Sequence, residues 1–551
     1  MLGSGSGSEC EVLKQKSGET ALALFLRPLF CASDGNRTRT RLTANRILSP
    51  ARLPVPPPRP LLTAVSIRQN KKKFQTRRFG IFRAEDETRT RDPNLGKVVL
   101  YQLSYFRICF FKTVVPVWDC KGSKGFEIKN IFFENFLFPC VVYLQRVSAC
   151  IVNPLFDELY SQIHPMFLTA NKVHNGHSFM PQGTTLEVDA AGTVVSILDA
   201  PTADTLFYDG ILVPGFVNAH CHLELSHMKG AISKGTGLIP FLQQVTFNRN
   251  NWTAEQKEHA LQHAFVAMKQ NGVVAVGDIS NTTDTLPQRG AEDMRFHTFV
   301  ECIGFNPAFA EKAFHNSFAN YQVFAQQLPE SGLLQQSLVP HAPYSVSPAL
   351  FQLIDKALPG SVISIHNQES AAENSFYIDK TGAVLDLLNG FNIDHSSFVA
   401  SGKTSLTTYM EYFTTQHSYI FVHNTFSARE DIEYLQSRNI DFTFCLCPNA
   451  NLYIENRLPP VEMFQAMNVR LCLGTDSLAS NDSLSIIEEM NTLLAMGDGV
   501  ALEHVITWAT YNGACALKMD QQMGSFEVGK TPGINLLDYE GGKLGLKEIL
   551  A

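Results

Sequence analysis

Between Met1 and Met166 the sequence has no methionine, although the 551-residue chain holds 13. None of its 12 cysteines stands in a Cys-x-x-Cys pair, which removes the common paired-thiolate zinc and redox motifs. No apolar run is long and clean enough to span a bilayer. Ala21–Phe30 is interrupted by Arg27 and lacks a small-residue cleavage site, and Ile131–Val152 contains Glu134 and Arg146. Neither a secretory signal nor a membrane anchor is expected, and a reduced cytoplasmic location follows. Cys445 and Cys447 alternate in an apolar run, share one strand face and read as buried thiols.

The composition present is that of a globular protein, 45% hydrophobic and 18% charged, with a net charge of -7 that gives no reason for a nucleic-acid partner. That charge is unevenly placed. Residues 1–165 carry about 25 basic and about 13 acidic side chains, whereas residues 166–551 carry about 20 and about 39. The first stretch has no sustained period of 2 or 3.6. It opens on Gly-Ser repeats and holds the run Pro54-Val55-Pro56-Pro57-Pro58 and the cluster Lys71-Lys72-Lys73. Two of its segments, around Asp34–Thr40 and Glu87–Pro93, resemble peptides obtained when transfer-RNA genes are translated on paper. Residues 1–165 are therefore expected to be a disordered or mistranslated upstream extension, with synthesis starting at Met166. A basic arm for nucleic acid and a genuine domain are the alternatives, and the intact mass of the native protein separates them.

From Met166 the text becomes regular. Short strands at Phe167–Val173, Thr185–Asp189 and Val194–Leu198 precede eight strand-like runs: Ile211–Ala219, Val273–Asp278, Arg295–Cys302, Ser337–His341, Val362–His366, Tyr419–His423, Asp441–Cys447 and Val469–Gly474. Helical stretches such as Ala254–Asn271, Pro307–Gln327, Ala428–Arg438 and Ser483–Met496 lie between them. Alternation of this kind demands parallel pairing, and eight units close a (β/α)8 TIM-type barrel of the α/β class. The barrel is expected over 211–519. A small β-sandwich is expected from 166–210 and 520–551, with Gly524–Asp538 read as turn, strand and return.

A barrel of this type carries its chemistry at the C-terminal ends of the strands. The first run ends Pro214-Gly215-Phe216-Val217-Asn218-Ala219-His220-Cys221-His222, where His220 and His222 point the same way and can grip one cation. The fifth ends at His366 with Glu369 three residues on, the sixth at His423, and the eighth in Gly474-Thr475-Asp476. Glu369 can carry protons over a metal without ligating it, and Asp476 can serve as a hard ligand and base. One such histidine alone is ordinarily a hydrogen-bonded structural residue. Four of them and an acid, all at strand ends, point jointly to a metal site.

These motifs together, with Leu478-Ala479-Ser480-Asn481 after Asp476, resemble the amidohydrolase superfamily, in its mononuclear deaminase and chlorohydrolase branch. The resemblance runs from about Met166 to Asp538. It implies His220, His222, His366 and Asp476 as ligands of one divalent metal, Zn2+ first and Fe2+ second. It also implies Glu369 as proton shuttle and His423 as the histidine that orients water, with Asp476 taking the water's proton. The fourth run reads Ser337-Leu338-Val339-Pro340-His341, without the lysine that two-metal members use, so one metal is implied. His341 resembles the branch's substrate-contacting histidine, and Glu224 and Asn451 are further substrate-binding candidates, with a supporting role behind the site equally open for Glu224. The Leu223-Glu224 pair is similar to aminofutalosine deaminases. Ala450 stands where the branch commonly has serine.

The expected function is thus hydrolytic deamination of an aminated heterocycle, an adenine-type nucleoside derivative such as aminofutalosine, with a small-molecule substrate as the partner and homo-oligomer formation left open. The rivals are cleavage of a cyclic amide or a chlorinated ring on the same scaffold, and a non-catalytic scaffold protein.

Overall fold

The computed structural model describes residues 165–551 apart from 291–293, 327–333 and 498. The reading of residues 1–165 lies, but for its last residue, outside the described residues.

The flanks form one six-stranded sheet in the order β14-β13-β4-β1-β2-β3. Its members are β1 (Met166–Val173), β2 (Thr185–Val188), β3 (Val194–Leu198), β4 (Thr205–Pro214), β13 (Ile534–Glu540) and β14 (Lys543–Ile549). This is a single sheet and not the two facing sheets of the expected sandwich. Leu168, Ala170, Leu212, Ile534 and Leu536 bury one face against Phe526, whereas Leu206 and Phe207 on β4 are exposed. The C-terminal strand joins the N-terminal flank through β4, with Ile534 opposite Pro214. The return strand falls later than the sequence implied. Gly541 and Gly542, both at positive φ, make a two-residue hairpin turn between Glu540 and Lys543.

Eight parallel strands follow in two four-stranded sheets, β5-β6-β7-β8 and β12-β11-β10-β9. They are β5 (Phe216–Cys221), β6 (Val273–Ser280), β7 (Arg295–Cys302), β8 (Leu334–Pro340), β9 (Val362–Asn367), β10 (Ser418–His423), β11 (Asp441–Leu446) and β12 (Leu471–Leu473). Seven of the eight sit where the apolar runs placed them, within a few residues at each end. The exception is the run Ile211–Ala219, which is two strands. Ile211–Pro214 ends β4, and β5 starts after Gly215. A Cβ at Gly215 would lie 2.5 Å from a methyl of Val274 and 2.8 Å from the Pro532 carbonyl. The chain can cross from one sheet to the other only at this glycine, although the hydrophobic text is continuous across it.

Backbone bonds link the two sheets at both edges. His366 N donates to His341 O at 3.0 Å, and Thr475 N and Asp476 N donate to His220 O at 3.0 and 3.1 Å. Asn218 and Thr475 add a reciprocal pair, Asn218 Nδ2 to Thr475 Oγ1 at 2.8 Å and Thr475 N to Asn218 Oδ1 at 3.1 Å. The first and last of the eight strands are thereby held in register where their polar residues begin. The approach is close enough that a Cβ at Gly474 would lie 2.8 Å from His220 O. No helix among the described residues is long and apolar enough to cross a membrane.

Candidate active site

The strand ends bring the separated histidines together. Donor atoms of His220, His366, His423 and Asp476 all lie within 4.8 Å of one another, and all four residues are buried. His222 joins them, with its Nε2 3.1 Å from His366 Nε2 and 3.5 Å from Asp476 Oδ1. His220 Nε2 is 3.6 Å from the same oxygen. All the expected metal-site residues therefore converge, and His423 is part of the four-residue group.

The imidazoles are held for ligation by what lies behind them. His366 Nδ1 bonds the His341 carbonyl at 2.7 Å, which puts its proton there and leaves Nε2 bare toward the cluster. His423 Nδ1 donates to Asn451 Oδ1 at 2.8 Å, and Asn451 Nδ2 donates on to Thr425 Oγ1 at 2.9 Å. His423 Nε2, both ring nitrogens of His220 and His222 Nδ1 are buried without a hydrogen-bond partner. Orphaned buried nitrogens are costly unless something accepts their lone pairs. Burial, followed for His366 by the neighbouring rings, pulls His222 and His366 well below the usual histidine range. Neutral imidazoles beside a carboxylate are the donor set of a divalent cation such as zinc, so the residues present fit a metal. Burial works against ionisation of Asp476, but His220, His222 and His423 outweigh it and hold the carboxyl well below its ordinary value.

Backbone strain concentrates here. His423 has φ 72°, Asn424 57° and Asp476 56°. Non-glycine residues persist in this left-handed region only where surrounding contacts impose it. For Asp476 these contacts are the paired N–H groups on His220 O and the Ser480 hydroxyl, which donates to Oδ2.

Glu369 sits beside the cluster, its Oε1 3.6 Å from His423 Nε2. Burial raises its carboxyl well above the usual range, and Asp476 and Glu455 push it the same way. Behind it, Glu373 Oε1 accepts from Gln368 N at 3.0 Å and from the Ser405 hydroxyl, clamping the turn that presents Glu369. Glu373 is itself buried, and burial lifts its carboxyl to about 8 despite those bonds. A carboxyl raised on folding above its ordinary 4.5 contributes fully below that pH, and the contribution is lost as pH rises to about 8. Glu373→Gln keeps an acceptor without the proton. Wild-type stability therefore falls relative to this variant by up to about 1.4 kcal/mol per pH unit between pH 5 and 8. Urea unfolding at both pH values measures this, and parallel profiles contradict it.

The cluster floors a cavity of about 760 Å³ lined by His222, His341, His366, Glu369, His423 and Asp476. His341 faces it, its Nδ1 bonded to Ser345 Oγ at 2.8 Å. The other two substrate candidates do not line it. Asn451 stands behind His423. Glu224 is saturated by Arg249 Nη2 at 2.9 Å, by Asn281 N and Nδ2, and by Thr282 N and Oγ1. A carboxylate with that many donors has no lone pair left to offer a substrate.

Glu301, which sequence reasoning did not single out, stands at the site. It lines the cavity, sits 3.7 Å from His366 Nδ1, and accepts from Asn281 Nδ2 at 2.8 Å. With His222 and His366 it forms a second group able to hold an ion. The strand-end rule that located the histidines applies equally to Glu301, the last residue but one of Arg295–Cys302.

The model of the amidohydrolase family matches residues 211–549. The chain belongs to the amidohydrolase family. This amidohydrolase is 26% identical over 339 residues to an adenosine deaminase of Helicobacter pylori, covering 60% of this chain and 80% of that protein. It is 25% identical over 374 residues to an aminodeoxyfutalosine deaminase of Nitratiruptor, covering 66% and 88%. Among solved structures, the amidohydrolase has the fold of H. pylori aminofutalosine deaminase in complex with methylthio-coformycin, at TM-score 0.58 and 23% identity over 68% of this chain and 92% of that one. It also has the fold of a Xanthomonas campestris adenosine deaminase with bound zinc, at TM-score 0.53 and 23% identity over 69% and 85%. The amidohydrolase is a hydrolase of carbon–nitrogen bonds other than peptide bonds.

Proposed function

We propose that this amidohydrolase hydrolytically deaminates an adenine-type nucleoside with one divalent ion, Zn2+ first, held by His220, His222, His366 and Asp476. The observation that carries the reading is Glu369. A carboxyl that burial raises well above its usual range stands 3.6 Å from His423, beside imidazoles of which both His220 nitrogens, His222 Nδ1 and His423 Nε2 have no hydrogen-bond partner. Cleaving an amidine-type C–N bond needs an activated water and a group that gives a proton to the ring, and this arrangement supplies a residue for each.

When bound, the metal lowers the pKa of its water from 15.7 toward about 7. Asp476 accepts the water's proton through its ionised carboxylate. His423, with Nδ1 fixed on Asn451, keeps Nε2 aimed at the attacking oxygen. Glu369 gives its proton to the ring nitrogen next to the carbon that bears the amine, so that this nitrogen does not build up negative charge. Asp476 then passes the water's proton to the amine, the hydroxyl on the carbon gives its proton back to Glu369 as the C=O forms, and the C–N bond breaks to release ammonia. His341 contacts the base, and Glu224 acts from behind by holding Arg249 and Asn281. The eight strands form a closed barrel from Gly215, and the flanking sheet is its appendage. We place the enzyme in the cytoplasm, where the six cysteines among the described residues stay free thiols.

The test is ammonia release by zinc-loaded protein from adenosine, 5′-methylthioadenosine, 6-aminodeoxyfutalosine, guanine and cytosine. Release from the adenine nucleosides is expected. Ammonia from none of them, or chloride release from a chlorotriazine alone, refutes the reading.

A further inference from the structure

One helix, Ile486–Leu494, braces two of the loops that follow the strand ends. Ile486, Ile487, Met490 and Leu493 bury one side of it in the core, where close packing leaves it little room to move. From this helix Glu489, fully buried, reaches both loops at once. Its Oε2 accepts from Asn449 N at 2.9 Å, and its Oε1 accepts from Asn481 Nδ2 at 2.7 Å. Asn449 lies in the first turn of Pro448–Glu455, the helix after β11. Thr492, one turn beyond Glu489, donates its hydroxyl to Asn449 Oδ1. Two residues on, Asn451 accepts from His423 Nδ1 at 2.8 Å. Asn481 belongs to the loop after β12. Its Nδ2 also donates to Thr475 O at 2.9 Å, immediately before Asp476. Glu489 is thus the point where the support of His423 meets the support of Asp476. Both of those residues hold left-handed backbone, with φ of 72° and 56°, which only surrounding contacts can impose.

We propose that Glu489 is a positioning residue that fixes Asp476 and His423 relative to each other. Its effect on turnover rests on the deaminase reading, whereas its effect on the ion's surroundings rests on the metal site alone. Each carboxylate oxygen meets an N–H donor, so the side chain satisfies both loops together. Glutamine matches its size but carries one oxygen and one NH2 group. That NH2 has to face either the Asn449 N–H or the Asn481 amide, donor against donor, and one loop is released. Turning the Asn481 amide to receive it would set the Asn481 oxygen against the Thr475 carbonyl. A misplacement of about 1 Å in a catalytic site can cost on the order of 10²-fold in rate, even when its origin lies far from the chemistry. A side chain that only stabilises the fold behaves differently. Its loss lowers Tm and leaves the site of the folded enzyme as it was.

Glu489→Gln and Thr492→Val are compared with wild type, each zinc-loaded for kinetics and cobalt-substituted for its visible spectrum. In Glu489→Gln we expect kcat to fall by about 10–100-fold with little change in KM. Zinc affinity, measured by competition with a chromophoric chelator, is expected to weaken by about tenfold or more, and the cobalt bands to shift. Thr492→Val keeps the shape and removes the hydroxyl, loosening the Asn449 side alone. A fall in kcat of about threefold, the worth of one hydrogen bond, is expected there, with the cobalt spectrum of wild type. Wild-type kcat, zinc affinity and cobalt spectrum in Glu489→Gln overturn the proposal, whatever happens to Tm. If Glu489→Gln does not fold, wild-type kcat in Thr492→Val overturns it instead. A shifted cobalt spectrum in Glu489→Gln, with no nucleoside deaminated even by wild type, removes the deaminase reading and leaves the positioning of Asp476 standing.

Discussion

Replacing Glu369 by glutamine lowers kcat on the order of 10²–10⁴-fold while metal content stays at the wild-type level. The substitution preserves size, and an amide still donates a hydrogen bond to a ring nitrogen, so substrate affinity changes little. It removes the transferable proton. Burial, reinforced by Asp476 and Glu455, raises the Glu369 carboxyl well above its usual range, toward the protonated state a donor requires. The measurement is steady-state ammonia release alongside elemental analysis of the same preparation. Turnover like that of wild type removes Glu369 from the mechanism. Loss of metal in the variant would reassign it as a ligand.

The second large effect is at His220. His220→Ala takes the protein from metal-bound to metal-free and lowers activity on the order of 10³-fold or more, because the water then returns toward its bulk pKa of 15.7. His220 is completely buried, its ring centroid lies 5.0 Å from that of His222 and 4.9 Å from that of His366, and neither of its nitrogens has a hydrogen-bond partner. Alanine leaves the remaining donors with an incomplete shell. Zinc binds the folded state and raises its stability by mass action, so the zinc-dependent rise in Tm disappears with it. Near-stoichiometric zinc in this variant would mean that His222, His366, His423 and Asp476 suffice, and that His220 is a packing residue.

Much of this was legible before any coordinates. The strand text was readable because parallel strands buried on both faces are near-continuous apolar runs. The site was readable because polar residues at the ends of such runs have few structural reasons to be there. The break at Gly215 was missed although Pro214-Gly215 is a turn dipeptide, and the close approach of Val274 and Pro532 shows why the chain needs glycine there. The hairpin to Lys543–Ile549 was missed although Gly541-Gly542 is a strong turn signal. The helices Leu238–Asn248 and Ala383–Gly390, whose residues line the cavity, begin at Gly237 and Gly382 without a side-chain cap, so their starts carry no capping signature. Glu224 was read as a substrate contact or, equally, as a support behind the site, and Asn451 as a substrate contact through its motif. Their hydrogen bonds hold Arg249, Asn281 and His423, and contacts between distant loops leave no local pattern.

The account stands on one ion at the strand ends, and titration of metal-free protein with zinc addresses it most directly. Ammonia release from adenosine should be absent at the start, rise linearly, and reach its plateau at one equivalent per chain. Full activity in chelator-stripped protein, or a plateau reached only at two equivalents, would contradict it.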